Sequence, residues 1–273
     1  MKRRTKIKVG IIGCGTIGGE VALACVQRFL GKIDLIGICD TDEAKARALR
    51  DKLGGGVSIS DRSTLISESD LVVEAASARV SADIVAECLR KRKDVLVMSV
   101  GGLLGKDELL SSIDGSESMV YLPSGAICGM DGVKAAALGE IRIVRITTRK
   151  PPKSLEGAPY IVKNNIDLAK IDKETTLFDG TAKEAVSAFP QNINVAAVLS
   201  LGAGGKKDVR VRIITSPAYT RNVHEVEVEG DFGRILTRTE NLPSARNPKT
   251  SQLAISSAIA TLGRITSRLQ VGT

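Results

Sequence analysis

The chain reads as a two-part α/β protein. A doubly wound parallel sheet is predicted over residues 1–123, and an α+β module with a mainly antiparallel sheet over residues 124–247. Three observations lead there. Strand and helix patterns alternate through the first part. Its strands include continuous apolar runs such as LVVEAAS, as burial on both faces requires. Beyond about residue 140 the style changes, and EIRIVRITTRK alternates apolar with basic or hydroxyl side chains, the mark of a sheet with one wet face.

The first strand, residues 7–12, runs directly into G-x-G-x-x-G at Gly13, Gly15 and Gly18, and a helix opens behind it. A second apolar run, IDLIGICD, ends in Asp40, about the twenty residues onward that a dinucleotide-binding fingerprint requires. This is the signature of a Rossmann domain. Gly13 permits the tight turn, Gly15 lets backbone N–H groups approach a pyrophosphate, and Gly18 lets the helix pack close to the strand. Thr16 and Ile17 open the helix, whose N-terminus offers N–H groups and partial positive charge to phosphates. Asp40 accepts from a ribose and favours NAD over NADP, since its charge repels a 2′-phosphate. Thr41, Lys45 and Arg47 stand near enough to soften that preference.

After Asp40 the spacing predicts a helix capped by Thr41 and stopped by glycines, then a short strand VSIS and the strand LVVEAAS. A helix over residues 80–91 precedes the strand DVLVMSVGG, and a short helix near residues 106–112 precedes MVYLPSG. Ligands of doubly wound sheets lie at the carboxyl ends of strands. Three small-residue turns fall there: residues 75–77 with Ala76 and Ser77, residues 99–102, and residues 124–126 with Ala126. In the second module DVRVRIIT, HEVEVEG and GRILTRTE repeat the alternating style, with helices at TAKEAVSAF and NVAAVLSLGAGG. The tail, about residues 248–268, reads as a long amphipathic helix starting near Pro248 and packing back on the first domain.

Composition excludes several classes. No apolar run is long enough to span a bilayer. The basic start MKRRTKIK leads into the glycine motif, so a signal peptide is not expected. Cys14, Cys25, Cys39, Cys88 and Cys128 lack C-x-x-C spacing, which points to a reducing cytoplasm and no metal site. The net charge is +8, yet the basic clusters at residues 2–8, 90–93 and 206–207 carry no interleaved aromatics, so no nucleic-acid partner is expected.

His224 is the chain's one histidine. Strand alternation puts it on the face of Val226 and Val228, opposite Glu225, Glu227 and Glu229. A general acid–base near neutrality suits C–N or C–O redox chemistry, which moves a proton along with a hydride. Asn192 and Asn194 stand where a helix begins, either as caps or as partners of a nicotinamide amide.

These segments together resemble the L-aspartate dehydrogenases. GIIGCGTIG, VVEAAS, VMSVGGL, LPSGAICGMD, FPQNINVAAVLSL, YTRNVHEVEVEGDFG and NPKTSQLA carry the likeness, spanning nearly the whole chain in order. The resemblance implies a plan shared with homoserine dehydrogenase and dihydrodipicolinate reductase. It also implies NAD(P)-dependent oxidative deamination of L-aspartate through iminoaspartate to oxaloacetate and ammonia. By motif, it implies that His224 is the active-site residue and that Ala126 contacts the cofactor, as does Asn194 or Asn192. A homodimer and a functional link to quinolinate synthase in NAD biosynthesis are further implications. Lys163, Arg149 and Lys150 are candidates for the substrate carboxylates. The rivals are a sister dehydrogenase or reductase of the same plan, and a non-catalytic NAD(H)-sensing regulator. A single histidine argues against the dihydrodipicolinate reductase pattern, and no recognition helix supports the regulator.

Overall fold

The computed structural model describes residues 6–190, 193–205 and 208–272. It divides into two compact units. One runs to Pro123 and takes in Ile255–Leu269; the other runs from Ser124 to Ala254 and takes in the residues from Gln270 onward.

In the first unit β1 (Ile7–Ile12), α1 (Thr16–Gln27), β2 (Ile33–Cys39), α2 (Glu43–Lys52), β3 (Ser58–Ile59), α3 (Arg62–Glu68) and β4 (Leu71–Glu74) are followed by α4 (Ser81–Arg90), β5 (Asp94–Val97), α5 (Asp107–Asp114) and β6 (Val120–Tyr121). The sheet order is β3-β2-β1-β4-β5-β6, with all neighbours parallel. Parallel neighbours need crossovers, which the helices supply. The order reverses between β1 and β4, and such a switch point leaves a crevice at the carboxyl ends of the strands. The sequence placed the cap of α2 at Thr41. The structure places it at Asp42, whose Oδ1 accepts from the N–H groups of Ala44 and Lys45 at 3.1 and 3.3 Å. The carboxylate one residue later reaches the open helix end.

The second unit contains α6 (Met130–Ala136), β7 (Ile141–Lys150), α7 (Pro159–Lys163), β8 (Thr175–Thr181), α8 (Ala182–Ala188), α9 (Asn194–Gly202), β9 (Arg210–Thr215), β10 (Asn222–Gly230) and β11 (Gly233–Asn241). Its sheet runs β11-β10-β7-β9-β8, antiparallel except for the parallel pair β7 and β9. The β7–β10 register pairs His224 with Thr148 and Val226 with Ile146, so these four share one face. Ile146, Thr148, His224 and Val226 are all buried. The other face carries a ladder of ion pairs: Glu225 with Arg149 and Arg238, Glu227 with Arg145 and Arg234. Alternation along β10 therefore divides a dry face from a charged one.

The tail departs from the sequence reading. Residues Asn247–Ser251 form a strand, β13, paired antiparallel with β12 (Pro243–Ser244), and α10 begins only at Gln252, running to Ile265. The Gln252 N–H is taken by the Leu242 carbonyl at 3.0 Å. Pairing of this Thr- and Ser-containing segment wins over the helix-start signal of N-P-K. On α10, Ile255, Ala258 and Leu262 recur at helical spacing and are buried. Ala258 and Leu262 belong to the same apolar cluster as Val9 and Ile11 of β1 and Val21 of α1. Leu262 is fully buried, so Leu262→Ala should lower unfolding free energy by about 2–5 kcal/mol in chemical denaturation. Leu253→Ala, at a position 40% exposed, should stay within about 0.5 kcal/mol of the parent.

Candidate active site

The glycine turn is built by close approach. Gly13 has φ +102°, and a Cβ there would lie 2.4 Å from the Ala75 carbonyl oxygen. A Cβ on Gly18 would lie 1.8 Å from the Gly13 carbonyl oxygen. Neither position accepts a side chain. Gly15 is the opposite case: it is exposed, and a Cβ there would meet nothing within 4 Å. It is the N-cap of α1, with no side-chain capping bond and no acidic residue in the first turn. The helix start therefore presents N–H groups to open space, a fit for a pyrophosphate. Thr16 and Ile17 are half-buried beside it.

Asp40 sits just beyond β2, and its carboxylate is already engaged on both oxygens. Oδ2 accepts from the Cys14 N–H at 2.7 Å, and Oδ1 from the Asp42 N–H at 2.8 Å. It thus ties the glycine turn to the end of β2. Each carboxylate oxygen accepts more than one hydrogen bond, so both can still meet ribose hydroxyls.

Glu74 performs the matching task two strands over, on β4, and sequence reasoning missed it. It is fully buried at the carboxyl end of β4. Its Oε1 accepts from the Ala76 N–H at 2.9 Å and its Oε2 from the Ser99 N–H at 3.0 Å. Burial pushes its carboxyl above the usual range, against the pull of those N–H groups. Glu74 therefore fixes the turn carrying Ala76 and Ser77, both exposed, to the turn that begins at Ser99. The available signal was a lone carboxylate ending an otherwise apolar strand.

The second unit gathers the remaining predicted residues. His224 is 4% exposed, and its Nδ1 lies 2.9 Å from Thr148 Oγ1. Burial, and then the charge of Lys150, push its pKa down to about 3, so the imidazole is neutral at ordinary pH. Lys150 is itself 5% exposed, and burial lowers its ammonium to about 8. Ala126 is buried, and its carbonyl accepts from Thr239 Oγ1 at 2.8 Å and from Asn241 Nδ2 at 3.1 Å. Thr239 pairs with His224 across β10 and β11, so the turn at residues 124–126 is fastened beside the imidazole's row. Asn241 Oδ1 is buried and has no hydrogen-bond partner among the described residues, an acceptor left over at the same edge. Asn194 opens α9 and is half-buried; Asn192 lies outside the described residues.

The candidate cations separate cleanly. Arg149 points to the charged face, where Glu225 takes it, and Lys163 is exposed on α7. Lys150 shares the face of His224. Among the described residues no three His, Cys, Asp or Glu side chains gather as a metal site, and no helix is long and apolar enough to cross a membrane.

One unit holds a Rossmann sheet with an open glycine turn and the other a buried histidine, features in keeping with the class of NAD(P)-dependent dehydrogenases. Residues 13–121 match the family model described as homoserine dehydrogenase, NAD binding domain, and residues 131–265 match that for aspartate dehydrogenase, C-terminal. L-aspartate dehydrogenase of Methanosarcina mazei is 47% identical, over 98% of this chain and 100% of that protein. The Methanococcoides burtonii enzyme is 45% identical, over the same shares. The crystal structure of aspartate dehydrogenase from Thermotoga maritima superposes with a TM-score of 0.78 at 28% identity, covering 98% of this chain and 100% of that one. The chain belongs to the L-aspartate dehydrogenase family.

The histidine has a consequence for stability. In the unfolded chain it titrates near 6.5, but in the folded protein near 3. Between those values the unfolded state binds the extra proton, so stability falls as pH drops from 6.5 toward 3. The contribution is on the order of 4–5 kcal/mol over that window. His224→Asn should lose less stability than the parent between pH 6.5 and 4, measured as urea midpoints across pH.

Proposed function

We propose that this chain is an NAD(P)-dependent L-aspartate dehydrogenase that converts L-aspartate through iminoaspartate to oxaloacetate and ammonia. Family membership along the whole chain carries the activity, and the dry, neutral imidazole of His224 carries the assignment of the catalytic residue. In this reading Gly13, Gly15, Thr16, Ile17 and Gly18 hold the pyrophosphate, and Asp40 holds the adenosine ribose. Ala76, Ser77, Ala126 and Asn194 meet the nicotinamide half. When bound, the nicotinamide accepts the hydride that leaves Cα of aspartate.

The protein's own work lies in placing Cα and handling protons. Thr148 anchors Nδ1 of His224, which turns Nε2 toward the substrate. A neutral imidazole can take a proton from water as that water's oxygen bonds to the imine carbon. The resulting imidazolium gives that proton to nitrogen, forming the carbinolamine. The carbinol hydroxyl proton then passes through the imidazole to the same nitrogen as the C–N bond breaks, C=O forms, and ammonia leaves. Burial strengthens this exchange by keeping the imidazole out of bulk water. The reading also includes a cytoplasmic homodimer and delivery of iminoaspartate to quinolinate synthase in NAD biosynthesis; both rest on the family resemblance.

Absorbance at the NADH band should show turnover with L-aspartate well above that with L-glutamate, L-alanine or homoserine. His224→Ala should lower kcat by roughly 10²- to 10⁴-fold, with NADH affinity by fluorescence titration within about threefold of the parent. Full activity in that variant would remove His224 from the mechanism. Asp40→Ser should raise the ratio of NADP to NAD efficiency while weakening both cofactors, because the Cys14 N–H loses its acceptor.

A further inference from the structure

Among the described residues, Lys150 is the one lysine or arginine that is buried. It ends β7 on the dry face of the sheet. Thr148, two residues earlier on that face, stands opposite His224 and touches its ring. Alternate residues on a strand lie about 6.5–7 Å apart, a gap that a lysine stem spans. The strand-paired residues at this edge are polar and uncharged: Thr215 pairs with Lys150 across β9, and Asn222 pairs with Asn241 across β10 and β11. All three of Thr215, Asn222 and Asn241 are buried.

Taking an ammonium out of water costs several kcal/mol, and a methionine of similar length would fill the same space without that cost. A buried cation beside a candidate base is therefore an expected mark of a binding site. Arg149, the next residue along, is on the opposite face with Glu225, so strand parity alone decides which of the two adjacent cations can reach the imidazole.

We propose that Lys150 holds a carboxylate of the dicarboxylate substrate and so positions Cα against His224. This rests on the L-aspartate reading given above. Aspartate carries its carboxylates one and two bonds from Cα, so a carboxylate held at Lys150 leaves Cα within reach of the adjoining imidazole. The arrangement also couples binding to basicity. The Lys150 charge depresses His224, and a carboxylate seated on the ammonium offsets that charge. The base strengthens when substrate arrives.

The test compares Lys150→Met and Lys150→Arg with the parent by steady-state kinetics, NADH titration and thermal melting. Lys150→Met should raise the KM for L-aspartate roughly 10- to 150-fold, and should weaken inhibition by succinate in parallel. NADH affinity should stay within about threefold, and the melting temperature should hold or rise because a buried charge is gone. A lysine that served packing alone would instead lower the melting temperature and leave KM in place. Lys150→Arg should recover most of the lost affinity, because it keeps the charge. Lys150→Gln answers the same question if the methionine variant does not fold. An unmoved KM for L-aspartate and an unmoved succinate inhibition in a folded, charge-free variant would overturn the inference alone. A parent protein that oxidises a different amine and leaves L-aspartate untouched would overturn the proposed function, and this inference with it.

Discussion

The first unit depends on backbone contact so tight that only glycine allows it. Gly18 presses against the Gly13 carbonyl, and Gly13 against the Ala75 carbonyl. That double approach sets the distance of α1 from β1 and of the β1 turn from the β4 turn. Two carboxylates then hold what the glycines bring together. Asp40 secures the glycine turn to β2, and Glu74 secures the turn after β4 to the turn after β5. The four adjacent ends of β2, β1, β4 and β5 become one braced rim, with Gly15, Ala76 and Ser77 left exposed upon it. The same carboxylates would be costly at that depth without N–H partners.

The second unit solves a different problem with one mixed sheet. A single strand, β10, supplies glutamates to a charged face and His224 to a dry one. The ion pairs on the charged face are partly exposed, from Arg149 and Glu225 at about a quarter to Arg234 at over a half, so solvent screening limits what each adds to stability. Desolvation on the other face acts on the site itself, since it holds the imidazole neutral and lowers the Lys150 ammonium to about 8, where it still carries its charge at neutral pH. Thr239 and Asn241 extend the polar row to Ala126, so catalytic candidate and cofactor candidate are fixed by the same strand edge.

Much of this was legible in local sequence. The glycine spacing, the apolar runs and Asp40 define the first unit because each signal lies within a few dozen residues. The orientation of His224 follows from period-2 alternation along β10. What escaped depends on partners distant in the chain. Lys150 could not be separated from Arg149 and Lys163 without the β7–β10 register, which joins residues over seventy positions apart. Strand β8 was missed because Asp179 and Gly180 interrupt its pattern and its pairing shifts register between Thr176 and Phe178. The segment Asn247–Ser251 looked like a helix start until its pairing with Pro243–Ser244 was known. Glu74 was read through as part of an apolar strand, since nothing local reveals the N–H groups waiting for it.

The hydrogen bond from Cys14 to Asp40 reaches beyond cofactor geometry. Cys14 lies between the first two glycines of the motif, where a reactive sulfur would endanger the cofactor turn. Burial, with the nearby Asp40 charge, pushes its thiol up to about 12. At neutral pH the thiolate fraction is then on the order of one in 10⁵. Oxidants and alkylating agents attack the thiolate, so this sulfur is chemically quiet where it is most exposed to consequence. The carboxylate that braces the turn thus adds, after burial, to keeping the sulfur beside it protonated.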